Sequence, residues 1–336
     1  MTAPTPGRPV APPALAAVRP PTLATGPKVA PVASLFRTSQ GQPWRRGVLL
    51  VGPPKVGKTT AAGGAPRPVF IQADEAGLSV LPDDMPHAVP TAWDRSPSSP
   101  ADEVTVIGAV RSLLEGEHDY QTAVIDTVNR VELLLWRWIC KVGQVDSIEA
   151  FGGGYGKGYT RALEEVNRLI DMLHALKSRR GMHWIAISHQ VVKTAKDATQ
   201  DDYERAMMQL NEKAAGAWEG AVDTIIYCQP EIQTTDHINK DQKGERRKVE
   251  ITGRTIAMVK PGRGIAAGSR DLVRSPMILS WAEYERQAKA GAEMKRALFA
   301  KRAGLAVEDQ AALDQRLAAA GWSWDAYEAE VASAGK

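Results

Sequence analysis

The chain has 336 residues, of which 43% are hydrophobic and 24% are charged, and its formal net charge is +3. This length and apolar content suffice for a sizeable core, whereas so small a net charge does not by itself indicate a nucleic-acid partner. We expect a cytoplasmic protein without a membrane partner, because no apolar run approaches the roughly 20 residues that span a bilayer and the N-terminus lacks a secretory signal pattern.

Residues 1–42 form a Pro/Ala-rich tract that includes Ala11-Pro12-Pro13 and Arg19-Pro20-Pro21. Large apolar side chains are too few in this segment to offset the entropy of ordering it. We therefore predict a disordered arm, which acts as a tether or contacts an acidic partner through its basic residues.

Residues 43–280 alternate short apolar runs with helical stretches, which predicts an α/β domain. We expect a mostly parallel central sheet flanked by helices. Leucines and valines at three- and four-residue spacing predict a helix over 159–179, and a second apolar helix is expected after Asp126. Strands are predicted at 47–51, 69–73, 122–126, 184–188 and 222–228, with a hairpin of 247–252 and 254–259 that turns at Gly253.

Residues 281–336 are rich in Ala, Glu, Lys and Arg, which predicts a small C-terminal helical segment. Helices are expected over 281–303 and 307–333. The run Gly321-Trp322-Ser323-Trp324 interrupts the second helix, and its tryptophans are interpreted as packing residues.

A G-x-x-x-x-G-K-T motif directly follows the first predicted strand, as a triphosphate-binding loop requires. Its glycines let backbone N–H groups turn toward phosphate oxygens, and a helix that starts near Lys58 adds a positive dipole end. We expect Lys58 to reach the β- and γ-phosphates and Thr59 to complete a Mg²⁺ shell. The predicted ATP-binding residues of the loop are Gly52, Pro53, Pro54, Lys55, Val56, Gly57, Lys58, Thr59 and Thr60.

Acidic residues follow two of the other predicted strands. Asp126 ends the run 122–126 and is expected to order the water shell of the metal beside Thr59, although a helix cap is the alternative. Glu75, with Asp74 as the alternative, follows the run 69–73 and is expected to polarise the attacking water. The competing interpretation is that both are solvated loop acids.

Ser188-His189-Gln190 ends a fourth predicted strand. A polar side chain there touches both the γ-phosphate and the loop that follows, so nucleotide state would alter the conformation of that loop. A simple strand-end cap is the alternative.

Further segments extend this pattern and carry a family resemblance. They are the glycine-rich run from Phe151 to Tyr159 and the sequences Asp202-Tyr203-Glu204-Arg205, Leu210-Asn211-Glu212-Lys213 and Trp218-Glu219-Gly220-Ala221. Over residues 44–285 the chain resembles phage-encoded AAA-family nucleotide-binding proteins with a RecA-like P-loop core. The resemblance implies an ATPase of phage-type DNA recombination, replication or repair in a bacterial host cell.

By position, the resemblance implies catalytic or sensing roles for a small set of residues. Lys58 and Thr59 would hold phosphate and Mg²⁺, while Asp126 would hold the water shell of the metal. Glu75 would activate water, and His189 or Gln190 would sense the γ-phosphate. The implied partners are single-stranded DNA, a phage recombination or annealing protein, and further copies of the chain in a ring or filament.

Two loops of a RecA-like core face the central axis, and here they would lie near 143–160 and 190–216. Glycines, cations and aromatic residues in such loops are typical of single-strand DNA binding, although a flexible lid over the nucleotide is the alternative. The predicted DNA contacts are Tyr155, Lys157, Tyr159, Arg161, Lys193 and Lys196.

Three functional hypotheses follow from the sequence. The first is a slow, DNA-stimulated ATPase. The second is a nucleotide-gated interaction module with little turnover, in which ATP controls docking through the arm and the C-terminal helices. The third is a small-molecule kinase, which is disfavoured because no Arg-rich lid segment is evident.

Overall fold

The computed structural model describes residues 44–73, 75–196, 201–241, 244–262 and 264–333. The side chains of 75, 76, 233–241 and 244–251 lie outside this description. The arm predicted over 1–42 and the acid Asp74 also fall outside the described residues.

Short apolar runs form the strands of a central sheet. The strand order is β10-β8-β7-β1-β5-β4-β2-β3, with β6 paired to β5 and β9 paired to β7. From β7 to β3 all neighbours are parallel, which confirms the predicted mostly parallel α/β fold. The strands are β1 (Gly47–Gly52), β2 (Pro68–Gln72), β3 (His87–Ala88), β4 (Thr122–Asp126), β5 (His183–Ala195), β6 (Tyr203–Met208), β7 (Thr224–Asp241), β8 (Gly244–Met258), β9 (Gly268–Ser269) and β10 (Met277–Ile278).

Helices cover both faces of this sheet. Among the described helices, none combines the length and apolar content that a bilayer crossing needs. Short 3₁₀ turns lie at Glu75–Val80 and Ile148–Gly153. The α-helices are α1 (Lys58–Gly63), α2 (Val106–Glu115), α3 (Val128–Gly143), α4 (Lys157–Arg179), α5 (Glu212–Ala221), α6 (Trp281–Ala303), α7 (Val307–Ala319) and α8 (Trp324–Ala332).

Successive side chains of β1 point to opposite faces of the sheet, and the core is accordingly divided into two layers. Leu49 and Val51 pack with buried residues of α2 to α5, whereas Val48 and Leu50 pack with α1 and α6. Strands buried on both sides in this way read as continuous apolar runs, which is why the sequence revealed them. A separate cluster joins Leu298 of α6 to α7 and α8.

The hairpin predicted to turn at Gly253 is wrong. Residues 244–258 form one strand, β8, whose antiparallel partner is β7. Gly253 has a φ of +78° and lies where the register shifts, since Ile251 pairs with Ile232 while Thr255 pairs with Pro230. A glycine with positive φ serves a bulge as readily as a turn, and here it forms a bulge.

The two expected loops are also more regular than predicted. Helix α4 already begins at Lys157, and a 3₁₀ turn precedes it. The segment near 190–216 contains the outer part of β5, the antiparallel strand β6 and the start of α5. Backbone pairing between Gln190–Ala195 and Tyr203–Met208 makes this segment a β-hairpin, which we call the β5–β6 hairpin.

Candidate functional site

The loop between β1 and α1 is a tight turn that depends on its glycines. A Cβ on Gly52 would lie 2.3 Å from the carbonyl oxygen of Cys228, so only glycine fits there. Gly57 adopts a φ of +92° as the N-cap of α1, and an added Cβ there would meet nothing within 4 Å. The turn of residues 53–57 therefore connects the end of β1 to the first residue of α1, Lys58.

Lys58 lies folded over this loop. Its side chain is buried, and its Nζ donates to the carbonyl oxygens of Gly52 and Pro53 over 2.9 and 2.7 Å. Burial lowers the pKa of the Lys58 amine, and the charge of Asp126 counteracts part of that effect. An ammonium held by two neutral carbonyls is poorly compensated, so a polyphosphate is a better partner for it than the loop.

Thr59 and Asp126 meet across the sheet edge. The Thr59 hydroxyl donates to Asp126 Oδ2 over 2.7 Å, although β5 separates β1 from β4 in the sheet. Parallel strands end at the same edge, which is why the residues that follow β1 and terminate β4 converge. Burial raises the pKa of Asp126, opposed by hydrogen bonds from Thr59 and Gln72 and by the nearby charge of Lys58.

Gln72 and Gly77 lie beside Asp126 and form a corner of the site with it, and the sequence predicted a role for neither. Gln72 ends β2 in register with Asp126, is fully buried, and forms a side-chain hydrogen bond with that carboxylate. A Cβ on Gly77 would lie 2.2 Å from Gln72 Nε2 and 3.3 Å from Asp126 Oδ2, so the turn Glu75–Val80 closes tightly on the pair. Gln72 reaches Asp126 only through the register of β2 with β4, which no local sequence pattern encodes.

A cleft of about 360 Å³ opens beside these groups. Asp126, Thr127, Ile187 and His189 line it together with residues of the loop. Two residues predicted to bind ATP, Val56 and Gln190, do not line this cleft. Val56 packs in the core, and Gln190 forms a hydrogen bond with Tyr227. The predicted loop residues that line the cleft are Pro54, Lys55, Gly57, Lys58, Thr59 and Thr60.

The donor set of the cleft fits Mg²⁺ bound to a polyphosphate. A hydroxyl and a carboxylate oxygen, at Thr59 and Asp126, are hard oxygen ligands that lie within hydrogen-bonding distance of each other. The buried amine of Lys58 lines the same cleft and is a cation of the kind that pairs with phosphate. Glu75 begins the helical turn that contains Gly77, but its side chain is outside the described residues.

The predicted DNA contacts fall on two separate elements. Tyr155 is fully exposed and has a φ of +55°, between Gly154 and Gly156, which also have positive φ. Lys157 Nζ donates to the Gly152 carbonyl over 2.9 Å. Lys193 and Lys196 are exposed, in the outer part of β5 and just beyond its end.

Two other predicted contacts, Tyr159 and Arg161, lie in the first turns of α4 and have local partners. The Tyr159 hydroxyl donates to Glu149 over 2.7 Å. Arg161 forms ion pairs with Glu164 at 3.0 Å and Glu165 at 2.5 Å. Tyr155, in contrast to these two residues, presents its whole side chain to solvent.

Comparison with known proteins gives one family match. A family model described as an AAA domain matches residues 45–270. The matched range includes β1, the loop, α1, β4 and every residue that lines the cleft. No curated protein matches the chain.

Proposed function

The chain belongs to the AAA domain family, and we propose that it binds ATP with Mg²⁺ in the cleft beside Thr59 and Asp126 and hydrolyses it. The observation that carries this proposal is the hydrogen bond of 2.7 Å between those two residues, next to the buried amine of Lys58. It supports the proposal because it brings together, at one sheet edge, the residue types that phosphate binding and metal ordering require in phosphoryl transfer.

Lys58 contributes the positive charge for the β- and γ-phosphates. The amine exchanges the carbonyls of Gly52 and Pro53 for phosphate oxygens, and its protonated form is thereby stabilised. Backbone N–H groups of the loop and of the first turn of α1 supply further donors.

Thr59 and Asp126 hold the metal side of the site. Mg²⁺, when bound, would neutralise charge on the phosphate oxygens. Thr59 would hold it through its hydroxyl, and Asp126 would order its water shell through a carboxylate that Gln72 holds by a hydrogen bond. His189 lines the same cleft and, in this proposal, contacts the γ-phosphate. Glu75, with Asp74 as the alternative, polarises the attacking water in this proposal.

Nucleotide binding and phosphate release by Lys58→Ala and Asp126→Asn test the proposal. Loss of a charge-assisted hydrogen bond weakens ATP binding about 10- to 100-fold for Lys58→Ala. Lys213→Ala, which removes an exposed lysine from α5, is the matched control and retains the affinity of the wild type. Unchanged affinity and turnover in both site variants would refute the proposal.

We also propose that the ATPase acts on single-stranded DNA. The fully exposed Tyr155, flanked by glycines and followed by Lys157, favours this function, because an exposed turn with an aromatic ring and a cation suits base stacking and phosphate contact. With the family resemblance, it supports a role in phage-type recombination, replication or repair alongside an annealing or binding protein, in a ring or filament of copies.

ATP turnover measured with and without single-stranded DNA distinguishes this role from a nucleotide-gated interaction module. The DNA-stimulated ATPase gains turnover at low salt and loses the gain as salt rises. A gated module binds ATP with negligible turnover, which Glu75→Gln and Asp74→Asn then leave unchanged. Phosphate transfer to a nucleoside acceptor would instead identify a small-molecule kinase.

A further inference from the structure

The first turn of α3 binds the base of the β5–β6 hairpin. Asn129 lies three residues after Asp126, and its Oδ1 accepts a hydrogen bond of 2.8 Å from the backbone N–H of His189. Its Nδ2 donates to the carbonyl oxygen of Gln209 over 2.6 Å. Gln209 N donates to the carbonyl oxygen of His189 over 3.0 Å, so the three hydrogen bonds between Asn129, His189 and Gln209 form a closed ring. One side-chain amide thus joins the residues that enter and leave the hairpin.

Glu132 extends the same attachment one helical turn further along. Its two carboxylate oxygens accept from the backbone N–H of Asn211 over 3.1 and 3.3 Å. Asn211 in turn caps α5, because its Oδ1 accepts from Lys213 N over 3.2 Å. Positions 129 and 132 share one face of α3, so this face holds the whole segment from Gln209 to Asn211.

The ring is connected to the nucleotide cleft from two sides. Asp126 ends β4 immediately before Thr127, the N-cap of α3, so a displacement of Asp126 displaces the turn that carries Asn129. His189 is a member of the ring and also lines the cleft. A ligand that draws Asp126 and His189 into new contacts therefore acts on the turn that carries Asn129 and on one of the two partners of its amide.

The β5–β6 hairpin is of a kind whose order changes with the contacts at its base. Its inner part is also held at Ala206, which is buried and whose N–H donates to the Gly264 carbonyl over 2.8 Å. Its outer part is a two-stranded ribbon, which is marginally stable on its own, so the order of that part depends on how the base is held. Val192, which is 54% exposed, and Lys193 lie on its leading strand. The order of this ribbon consequently determines the surface that the protein presents there.

We propose that Asn129 is a positioning residue that couples nucleotide binding to the order of the β5–β6 hairpin. This inference rests on the proposed nucleotide binding in the cleft. Asn129 itself does not line the cleft within the described residues, so its role is expected to appear in the coupling and not in nucleotide affinity.

Hydrogen exchange of the hairpin amides, followed by mass spectrometry, tests the proposal. Full-length wild type, Asn129→Ala and Asn129→Asp are compared without nucleotide, with Mg·ADP and with a slowly hydrolysed Mg·ATP analogue. Asn129→Asp keeps the acceptor for His189 N but places a carboxylate oxygen against the Gln209 carbonyl. Arg130→Ala, which removes the neighbouring exposed side chain on α3, is the matched control.

In the wild type and in Arg130→Ala, the Mg·ATP analogue is expected to slow hairpin exchange about 5-fold, the effect of one net hydrogen bond on a local opening equilibrium. In Asn129→Ala the slowing is lost, exchange without nucleotide is about 5-fold faster, and nucleotide affinity remains within about 3-fold of the wild type. Asn129→Asp also loses the slowing.

Equal slowing in the wild type and Asn129→Ala would overturn the inference while leaving the proposed ATP binding intact. Absence of nucleotide binding by the wild type would instead overturn the proposed function together with the coupling. Loss of nucleotide affinity in Asn129→Ala parallel to the loss of slowing would also refute the coupling role, because Asn129 would then act on binding itself.

Discussion

The hydroxyl of Thr59 and the carboxylate of Asp126 are joined by a hydrogen bond of 2.7 Å, although the strands that carry them are separated in the sheet by β5. Both groups are oxygen ligands, and the same two atoms that now bond to each other are those expected to hold the hydrated metal. The role of Thr59 should therefore depend on Mg²⁺, and its substitution tests this directly.

Thr59→Val removes the hydroxyl and conserves the shape of the side chain. We expect Mg·ATP affinity to fall about 10-fold or more, since a ligand of the metal is lost. Affinity for ATP in excess chelator should change little, because no metal is then bound. Fluorescence titration with a labelled nucleotide measures both quantities. Thr59→Ser, which keeps the hydroxyl, is the control, and an equal loss with and without Mg²⁺ would contradict the metal role.

The pH dependence of nucleotide affinity follows from two buried groups. Burial raises the pKa of Asp126, so this carboxylate gains a proton, and loses its hold on the metal, at a higher pH than an ordinary aspartate. Burial lowers the pKa of Lys58, so the amine loses its charge at a lower pH than an ordinary lysine. Mg·ADP affinity should therefore fall at both ends of a range from about pH 4 to about pH 10.

Two substitutions test which group causes the loss of affinity at the acidic limb and at the alkaline limb of that profile. Lys58→Arg keeps a positive charge at all accessible pH values and should abolish the alkaline loss. Asp126→Asn cannot titrate and should remove the acidic loss at a lower overall affinity. If the profile of the wild type were flat, or if neither substitution altered its limb, the assignment of the two groups would be wrong.

Gly77 provides a test of the corner formed by Gln72 and Asp126. Because an added Cβ would approach Gln72 Nε2 to 2.2 Å, Gly77→Ala must displace an amide that is fully buried. We expect weaker Mg·ATP binding by about 5- to 10-fold, as the hydrogen bond that orients Asp126 is lost. Gly63→Ala, where the nearest atom is 3.5 Å away, is the matched control. Unaltered binding in Gly77→Ala would show that this turn is free to move.

The loop and the central strands could be predicted because their signals are local. The G-x-x-x-x-G-K-T motif identifies its own conformation, and strands buried on both faces appear as uninterrupted apolar runs, such as Val48 to Val51. The start of α1 near Lys58 was predicted from the same motif, and helix α4 from its 3.6-residue periodicity, which is also a local property.

Features that depend on pairing between distant segments were not predicted. The position of Gln72 beside Asp126 follows from the register of β2 with β4, which no short segment encodes. The partner of β8 is β7 and not a second arm beyond Gly253, because a positive φ alone does not distinguish a turn from a bulge. Asn129 was missed because its two partners lie 60 and 80 residues away in the chain.

Glu132 predicts a pH-dependent stability of the fold. Burial raises the pKa of this carboxyl to about 7, and the hydrogen bond from the Asn211 backbone offsets only part of the effect. The native state therefore holds a proton that the unfolded chain releases nearer pH 4.5. The corresponding stabilisation is present below that value and is lost as pH rises to about 7, by at most about 3 kcal/mol.

Glu132→Gln removes this dependence because the amide does not titrate. The free energy of unfolding of the variant, measured by denaturant titration across pH, should decline less between about pH 5 and about pH 8 than that of the wild type. Glu308→Gln on the exposed surface of α7 serves as the control and should follow the wild type. Parallel curves for Glu132→Gln and the wild type would show that Glu132 is ionised in the native state throughout.

Tyr155 tests whether the protein contacts single-stranded DNA directly. Its ring is fully exposed and held by a glycine-flanked turn, so its removal costs the fold little packing. If bases stack on it, Tyr155→Ala should weaken single-strand binding by about 1–3 kcal/mol, and Tyr155→Trp should preserve it. Phe299→Ala removes another exposed aromatic ring, on α6, and should leave DNA affinity unchanged. Fluorescence anisotropy of a labelled oligonucleotide across a salt series measures these affinities. Equal binding by Tyr155→Ala and the wild type would show that base stacking on this side chain contributes nothing. Any DNA contact would then lie elsewhere on the protein.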